Sequence, residues 1–528
     1  MFPVGFGRLS GTGERTLTAR PKSRRRNRRP VRTPSAIKQL PWGPLRNPFT
    51  PIELLSADQV EAIHHASLRI LRDMGLEFMS AEALDVLKRE GAEVDRDTQI
   101  VKFDPDLVEE FVSKAPSEFE MVSRNRDRNL KFGGNNLIFS LVSSPPNVSD
   151  LDNGRRPGTY EDQCNLIRLM HSLNTVHMAG ITPVEAMDLP VNSRHLDLVH
   201  AYLTLSDRVF SARAIGRERI TDAIDMACIA GGITRDELVT QPGVYTNINI
   251  NSPRRVDNEL LTGMMEMMAY RQPVAVTPFT LAGAMSPVTL VGSLTQQNAE
   301  ALGVLAFSQM HSPGTPVIYG GFTSNVDMKS GSPAFGTPEY VKGTIAGGQL
   351  ARRYRLPYRS SNVNAANSVD AQSAYESQMA LWANIMGGVN IVWHGAGWLE
   401  GGLTSSFEKV IIDADNLQMM SEIMRPMIVD ESTLGLQAIE DAGIGGHFFG
   451  TAHTIERYEN AFYEPMVSDW RNFESWEEAG SPSAAEHANR IWKQLLAEYE
   501  PPAMSPDRRE ALDEFVARRK AEIGEQTW

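Results

Sequence analysis

From residue 136 onward the chain repeats one pattern eight times in about 285 residues: a short apolar run, then a helix-forming stretch. The runs are NLIFSLVSS, TVHMAGITP, VFSARAI, VYTNINI, PVAVTPF, PVIYGGF, LPYRSSN and VNIVWHG. The stretches between them predict helices around 160–172 and 193–206, then from about 218, 256, 287, 338, 371 and 405. Strands that are apolar along their whole length are covered on both faces. Strands alternating with helices pair in parallel, because each helix carries the chain back to the starting edge. Eight such units predict an α/β fold, a closed (β/α)8 TIM-type barrel over 136–430. An open doubly wound sheet is the alternative.

The flanks read differently. Residues 51–135 predict a helical and mixed accessory region. Ser56 caps a helix with Val60, Ile63, His64, Leu68 and Leu71 at helical spacing, ending at Gly75. A second helix ends at Gly91, and two short strands, QIVKF and FEMVS, follow. Residues 431–528 predict a C-terminal helical extension with two amphipathic segments, SAAEHANRIWKQLLAEY and DRREALDEFVARRKAEI, suited to covering the barrel or pairing subunits. Residues 1–50 hold twelve Lys/Arg against the single acid Glu14, a net of +11 within a chain of net −13, which leaves −24 on the other 478 residues. This Pro-, Ser- and Gly-rich arm lacks hydrophobic periodicity and predicts disorder; its basic, acid-poor composition is also that of an organelle transit peptide. The acidic body argues against nucleic acid as the main ligand. No run of about 18 apolar residues exists, so no membrane span is expected. The two cysteines, Cys164 and Cys228, exclude a disulfide scaffold and suit a reducing, cytoplasmic compartment.

Barrel chemistry lies at the C-terminal ends of the strands. Those ends offer Ser143, Ser144 and Asn147; Thr182; Arg213; Asn247, Asn249 and Asn251; Thr277, Phe279 and Thr280; Tyr319, Phe322 and Thr323; Arg359, Ser360, Asn362 and Asn364; and Trp393, His394, Trp398 and Glu400. No facing carboxylate pair supports a glycosidase, no ligand-spaced His/Cys/Asp cluster supports zinc, and no strand-end lysine supports a Schiff base. HExxH, GxSxG and a P-loop are missing. What remains is aromatic and amide-rich. Phe279, Tyr319, Phe322, Trp393 and Trp398 can wall a cation that has no N–H to donate. Arg359, His394 and Asn249 can orient a carboxylate on the same molecule.

VNIVWHGAGWLEGGLTSSFEKVIIDADNLQMM resembles the stretch near the end of the barrel in the trimethylamine methyltransferase family. TPFTLAGAMSPVTLVGSL (277–294), GTPVIYGG (314–321) and NAANSVDAQSAYESQMALW (364–382) are similar to the same family, over most of the chain after about residue 50. The resemblance implies a (β/α)8 protein that moves a methyl group from an amine to the cob(I)alamin of a separate corrinoid protein, within one-carbon metabolism. Archaeal trimethylamine enzymes of the family carry pyrrolysine inside the barrel. This chain has only standard residues, with Ser368 or Val369 near that position, and so resembles the pyrrolysine-lacking branch that acts on glycine betaine and related quaternary amines. The chain contains no DxHxxG cobalamin-ligand motif, so it is expected not to hold the corrinoid on its own, and a partner protein is expected to bring it. The resemblance implies a homo-oligomer too. On this reading the substrate's fixed positive charge activates the methyl group, the amine leaves neutral, and no residue transfers a proton. Gly395, Gly397 and Gly401 are expected to admit the corrin ring. The alternatives are trimethylamine transfer without pyrrolysine, a barrel methyltransferase with a pterin or thiol acceptor, a non-catalytic betaine-binding barrel, and an unrelated barrel lyase or hydrolase.

Overall fold

The computed structural model describes residues 37–524. Seven parallel strands are regular: β1 (Asn136–Leu141), β2 (Phe210–Ser211), β3 (Val244–Ile250), β4 (Val274–Pro278), β5 (Val317–Gly320), β6 (Tyr358–Ser361) and β7 (Ile391–Ala396). They follow the sheet order β1–β7–β6–β5–β4–β3–β2. An eighth strand, Leu45–Arg46, pairs antiparallel with β1, opposite Leu137 and Asn136. The result is a mixed α/β fold around a curled, mostly parallel eight-stranded sheet.

The expected strand TVHMAGITP is not regular. Gly180 and Pro183 interrupt it, and it pairs at separate points rather than along a ladder, Thr182 O accepting from Ser144 N–H (2.5 Å) beyond Gly180. His177 N–H donates to Phe139 O (2.8 Å), Leu141 N–H to Met178 O (3.1 Å), and Ala179 N–H to Val209 O (3.3 Å). Residues 177–179 therefore bond to the segments on both free edges of the parallel strands, β1 and the start of β2.

Eight helices fall where the periodicity places them: α1 (Tyr160–Ser172), α2 (Arg194–Leu205), α3 (Arg217–Gly231), α4 (Asn258–Ala269), α5 (Leu290–His311), α6 (Pro338–Arg353), α7 (Ala371–Gly387) and α8 (Phe407–Ile423). Thr159, Asp257, Thr289, Thr337, Asp370 and Ser406 start six of them, each side chain accepting a bond from a first-turn backbone N–H.

Strand parity sets the core. Ile138, Tyr245, Ala275, Ile318, Ile391 and Trp393 form one inward cluster with Met178 and Val209. An antiparallel hairpin, Glu118–Met121 with Leu130–Gly133, closes the strands' N-terminal end and adds Met121, Leu130 and Phe132 to the cluster. Phe119 stacks on Phe132 (centroids 4.9 Å), Phe132 on Tyr245 (6.3 Å), and Tyr245 meets Trp393 (5.1 Å). An aromatic column thus fills the interior up to the level of β7's end.

The basic arm expected over 1–50 falls mostly outside the described residues. Residues 38–50 depart from that expectation: they bond to the body. Leu40 N–H donates to Gln418 Oε1 (2.8 Å) and Asn47 Nδ2 to Ile385 O (2.7 Å), and Trp42 packs against the inner cluster. Ser56 caps its helix, Ala57–Arg69, through a reciprocal bond with Gln59. At the other end, α9 (Ala484–Ala497) packs on α8, and α10 (Pro506–Ile523) on α2 and α3. Among the described residues, no helix is long and apolar enough to cross a membrane.

Candidate functional site

A cavity of about 220 Å³ opens above the aromatic column, at the C-terminal ends of the strands. One wall is aromatic: Phe279, Phe322, Trp393 and Trp398, with the His394 imidazole among them. The other is polar: Ser143, Ser144, Asn247 and Asn249, with Ile181 between the two. Arg359 is the one charged side chain lining it.

Each wall follows from local structure. Asn247 and Asn249 share parity with Tyr245 on β3, so both face inward above the core. Asn247 Nδ2 donates to Asn249 Oδ1 (2.9 Å), and Thr277 Oγ1 donates to Asn247 Oδ1 (2.7 Å). Trp393 and His394 are consecutive, so regular pleating would turn them to opposite faces. Here β7 bulges: Val392 pairs with Phe139 and Ala396 with Leu141, four residues of advance against two. His394 takes φ +56° within the bulge, a left-handed conformation that costs a non-glycine residue energy. Both rings consequently line the cavity. Trp398 lies beside the imidazole (centroids 4.1 Å), its indole N–H donating to Asn364 O (3.1 Å). Gly402 sits at φ +102°, and a Cβ there would fall 2.6 Å from the Trp398 ring, so glycine is required for this packing. Asn362 and Asn364 pin the same loop through Gly395 O and Trp398 O (both 2.9 Å).

The electrostatics are one-sided. Arg359 is 2% exposed, and its Nε and Nη1 have no hydrogen-bond partner among the described residues. Its guanidinium carbon lies 5.4 Å from the Phe322 ring centre and 5.9 Å from that of Trp393. Burial lowers its pKa from 12.5 to about 10, which leaves it charged at neutral pH. Burial first, and then the Arg359 charge, hold the His394 imidazole well below its ordinary range, so it is neutral there with Nδ1 unpartnered. A buried cation without an anion is costly. A cavity built around one will favour a ligand that brings the anion.

Of the residues expected at the site, His394, Trp393, Trp398, Phe279, Phe322, Arg359, Asn249 and Gly401 come together at this cavity. Three do not. Tyr319 points outward: Ile318 takes the inward parity of β5, and the Tyr319 hydroxyl donates to Asn298 Oδ1 on α5 (3.0 Å). Gly395 and Gly397 lie in the wall, where an added Cβ would meet Ser140 O at 2.8 Å and the Val410 side chain at 2.6 Å. Their small size serves packing against β1 and α8. Ser368 is exposed and bonded to Asp370, and neither it nor Val369 lines the cavity. Arg213 turns aside to Glu185 and Thr182.

Sequence reasoning missed Ile181 and a fully buried ion pair. Lys409 bonds to Asp413 one turn along α8 and to Ser377 Oγ (2.8 Å), while Asp413 Oδ2 accepts from Gly397 N–H (2.9 Å). A lysine and an aspartate at i,i+4 beside the apolar run Val410–Ile412 was the available signal.

A family model described as trimethylamine methyltransferase (MTTB) matches residues 21–524. The chain is similar to a glycine betaine methyltransferase of Desulfitobacterium hafniense (strain Y51), 35% identical over 90% of this chain and 98% of the relative. It is also similar to a trimethylamine methyltransferase of Desulfitobacterium hafniense (strain DSM 10664 / DCB-2), 28% identical over 89% and 93%. A third relative, a trimethylamine methyltransferase of Methanosarcina mazei, is 27% identical over 86% and 93%. Among solved structures, a dihydropteroate synthase from Coxiella burnetii aligns over 58% of this chain and 99% of its own, with 11% identity and a TM-score of 0.34.

Proposed function

Because the chain belongs to the trimethylamine methyltransferase family, we propose that it moves a methyl group from a carboxylated quaternary amine of the glycine betaine type to the corrinoid of a separate protein. The observation that carries this reading is Arg359, a buried and unpartnered guanidinium facing a cavity with an aromatic opposite wall. The substrate carboxylate pairs with Arg359 and the amides of Asn247 and Asn249. The trimethylammonium head lies against Phe279, Phe322, Trp398 and the neutral His394 ring, each aromatic contact contributing about 0.5–2 kcal/mol.

The chemistry requires no general acid. The C–N⁺ bond breaks, its electron pair stays on nitrogen, and the amine departs neutral. The partner's corrinoid supplies the nucleophile that takes the methyl group. The chain's own residues bind, orient and desolvate the cation, and orientation alone is worth up to about 7–11 kcal/mol. His394, held neutral, adds no charge to oppose the ammonium. Gly401 and Gly402 leave the rim of the cavity free of side chains for the approaching partner. Closure of the sheet into a (β/α)8 barrel belongs to the same reading, supported by residues 177–179, which bond to β1 and to the start of β2.

The second reading is trimethylamine transfer without pyrrolysine, as the names of two relatives suggest. Trimethylamine carries no anion, so it leaves Arg359 unpaired. The test is optical: purified chain with cob(I)alamin, and separately glycine betaine, proline betaine, carnitine, choline and trimethylamine. Methylation of cobalt with a carboxylated amine, and not with choline or trimethylamine, is expected. Equal rates with choline and glycine betaine overturn the role given to Arg359.

A further inference from the structure

A second cavity, of about 130 Å³, lies at the N-terminal ends of the strands, away from the one around Arg359. It opens between the starts of β2 and β3, the ends of α2 and α3, the turn after the hairpin strand Glu118–Met121, and the first turn of α10. Its walls divide by chemistry. Leu203, Phe210, Ile233 and Leu238 form an apolar side. The polar side carries four guanidinium groups, Arg124, Arg126, Arg208 and Arg508, and no Asp or Glu.

Neutral groups answer most of these cations. Arg208 is 4% exposed and spends its two Nη atoms on the carbonyls of Met170, His171, Leu173 and Val176 at the end of α1. Arg124 holds Ala503 O and Ser206 O, and Arg126 donates to Gln241 Oε1 (2.6 Å). The Nε atoms of Arg124 and Arg208 are buried without a partner among the described residues. Arg508 lies against Gly232 just past the end of α3, and makes no hydrogen bond or ion pair among the described residues. The charge of Asp207 reaches Arg124 and Arg208, but its carboxylate is bonded to Asn125 (3.0 Å), sits beside His171 (3.7 Å) and does not line the cavity. Burial lowers the Arg124 pKa, Asp207 opposes that, and the Arg508 charge adds to it, as two like charges held close will do.

We propose that this cavity binds a small organic phosphate, its phosphoryl oxygens on Arg124, Arg126 and Arg508 and its apolar body against Leu203, Phe210, Ile233 and Leu238. A phosphate monoester brings a charge of about −1.5 to −2 and three acceptor oxygens. That matches guanidinium groups delivered by separate segments, whereas a lone carboxylate matches one of them. The apolar side gives the rest of the molecule a place that inorganic phosphate leaves empty. Occupancy also has a structural consequence. Arg508 belongs to α10, and Arg124 already holds Ala503 just before that helix. An anion between them replaces repulsion by two charge-assisted contacts and fastens α10 to the body.

The inference does not depend on the proposed reaction, since binding and hydrogen exchange read it. Titration calorimetry of the full chain with phenyl phosphate, inorganic phosphate and benzoate, all at one ionic strength, should show saturable binding of one phenyl phosphate per chain. Inorganic phosphate should bind more weakly, and benzoate not at all at millimolar concentration. Arg508→Gln should weaken phenyl phosphate binding by about tenfold or more. Arg508 is exposed, so the ligand-free variant should melt no lower than the parent. Bound phenyl phosphate should slow amide exchange in α10 and around Gly232. Absence of saturable binding overturns the proposal, as does an Arg508→Gln chain that binds phenyl phosphate unchanged. Benzoate binding as tightly as phenyl phosphate overturns the phosphoryl assignment. Slowed exchange around Arg359 with α10 unaffected would place the ligand in the other cavity and equally overturn it.

Discussion

Replacing Arg359 with methionine should do two opposite things at once. Folding drives the guanidinium pKa from 12.5 down to about 10, because burial disfavours the charged form and no carboxylate answers it. Below pH 10 the folded chain therefore carries a charge that the unfolded chain solvates more easily. At 1.36 kcal/mol per unit, the penalty at neutral pH is on the order of 3 kcal/mol. Methionine removes it while filling much of the volume, so the ligand-free variant should melt a few degrees higher than the parent, at roughly 2 cal/mol/K per residue of unfolding entropy. The same substitution removes the partner of the ligand's carboxylate. Losing one half of a buried, hydrogen-bonded charge pair costs about 2–5 kcal/mol, a loss of roughly 30-fold to several thousand-fold in affinity. Scanning fluorimetry with and without glycine betaine reads the stability, and titration calorimetry reads the binding. A variant that melts lower without ligand would refute the claim that Arg359 is uncompensated. A variant that binds glycine betaine unchanged would refute its role as the anion's partner.

Trp398→Ala should weaken quaternary-amine binding by about 0.5–2 kcal/mol, the worth of one ring face, visible as a several-fold rise in Kd for glycine betaine. Two buried histidines and a partly buried one set an acid limit on stability. His394 lies well below 6.5, His177 at about 3 and His171 at about 4, so below pH 6.5 the unfolded chain takes up protons that the folded chain refuses. Stability should fall as pH drops from 6.5 towards 4, by roughly 1.4 kcal/mol per pH unit for each histidine, measured by urea titration; a flat profile between pH 6 and 5 would contradict it. Lys409→Met leaves Asp413 buried without its cation and should cost about 3–5 kcal/mol. Lys409→Met/Asp413→Asn should recover part of that in the same urea titrations, because Asn still accepts from Gly397 N–H.

The strand–helix period located seven of the eight expected strands and all eight helices, since apolar runs and capping residues are local signals. The second strand was legible as apolar but not as irregular: it pairs only through separate bonds at residues 177–179 and at Thr182, and only the tertiary arrangement sets that limit. Strand ends gave the right neighbourhood for the site but not the parity. Tyr319 and Ile318 are both apolar enough to face inward, and the sheet register decided for Ile318. The bulge at His394 worked in the other direction, bringing two consecutive residues to one cavity. Gly395 and Gly397 look like a binding loop in the sequence because close packing and ligand approach require the same missing side chain. The ion pair of Lys409 and Asp413 escaped notice because burial on every side of α8 is not a local property.

Trp393 belongs to two structures at once. It is the top of the aromatic column that fills the sheet interior and the floor of the cavity. Variation at that position is therefore constrained by folding whatever the ligand, and a lineage drifting towards a longer or bulkier amine has little freedom there. The freedom lies in the residues delivered by loops beyond the strand ends, Phe279, Phe322 and Trp398, whose replacement leaves the column standing. Divergence in substrate preference among proteins with this architecture should accordingly be written in those three positions, with the floor held constant.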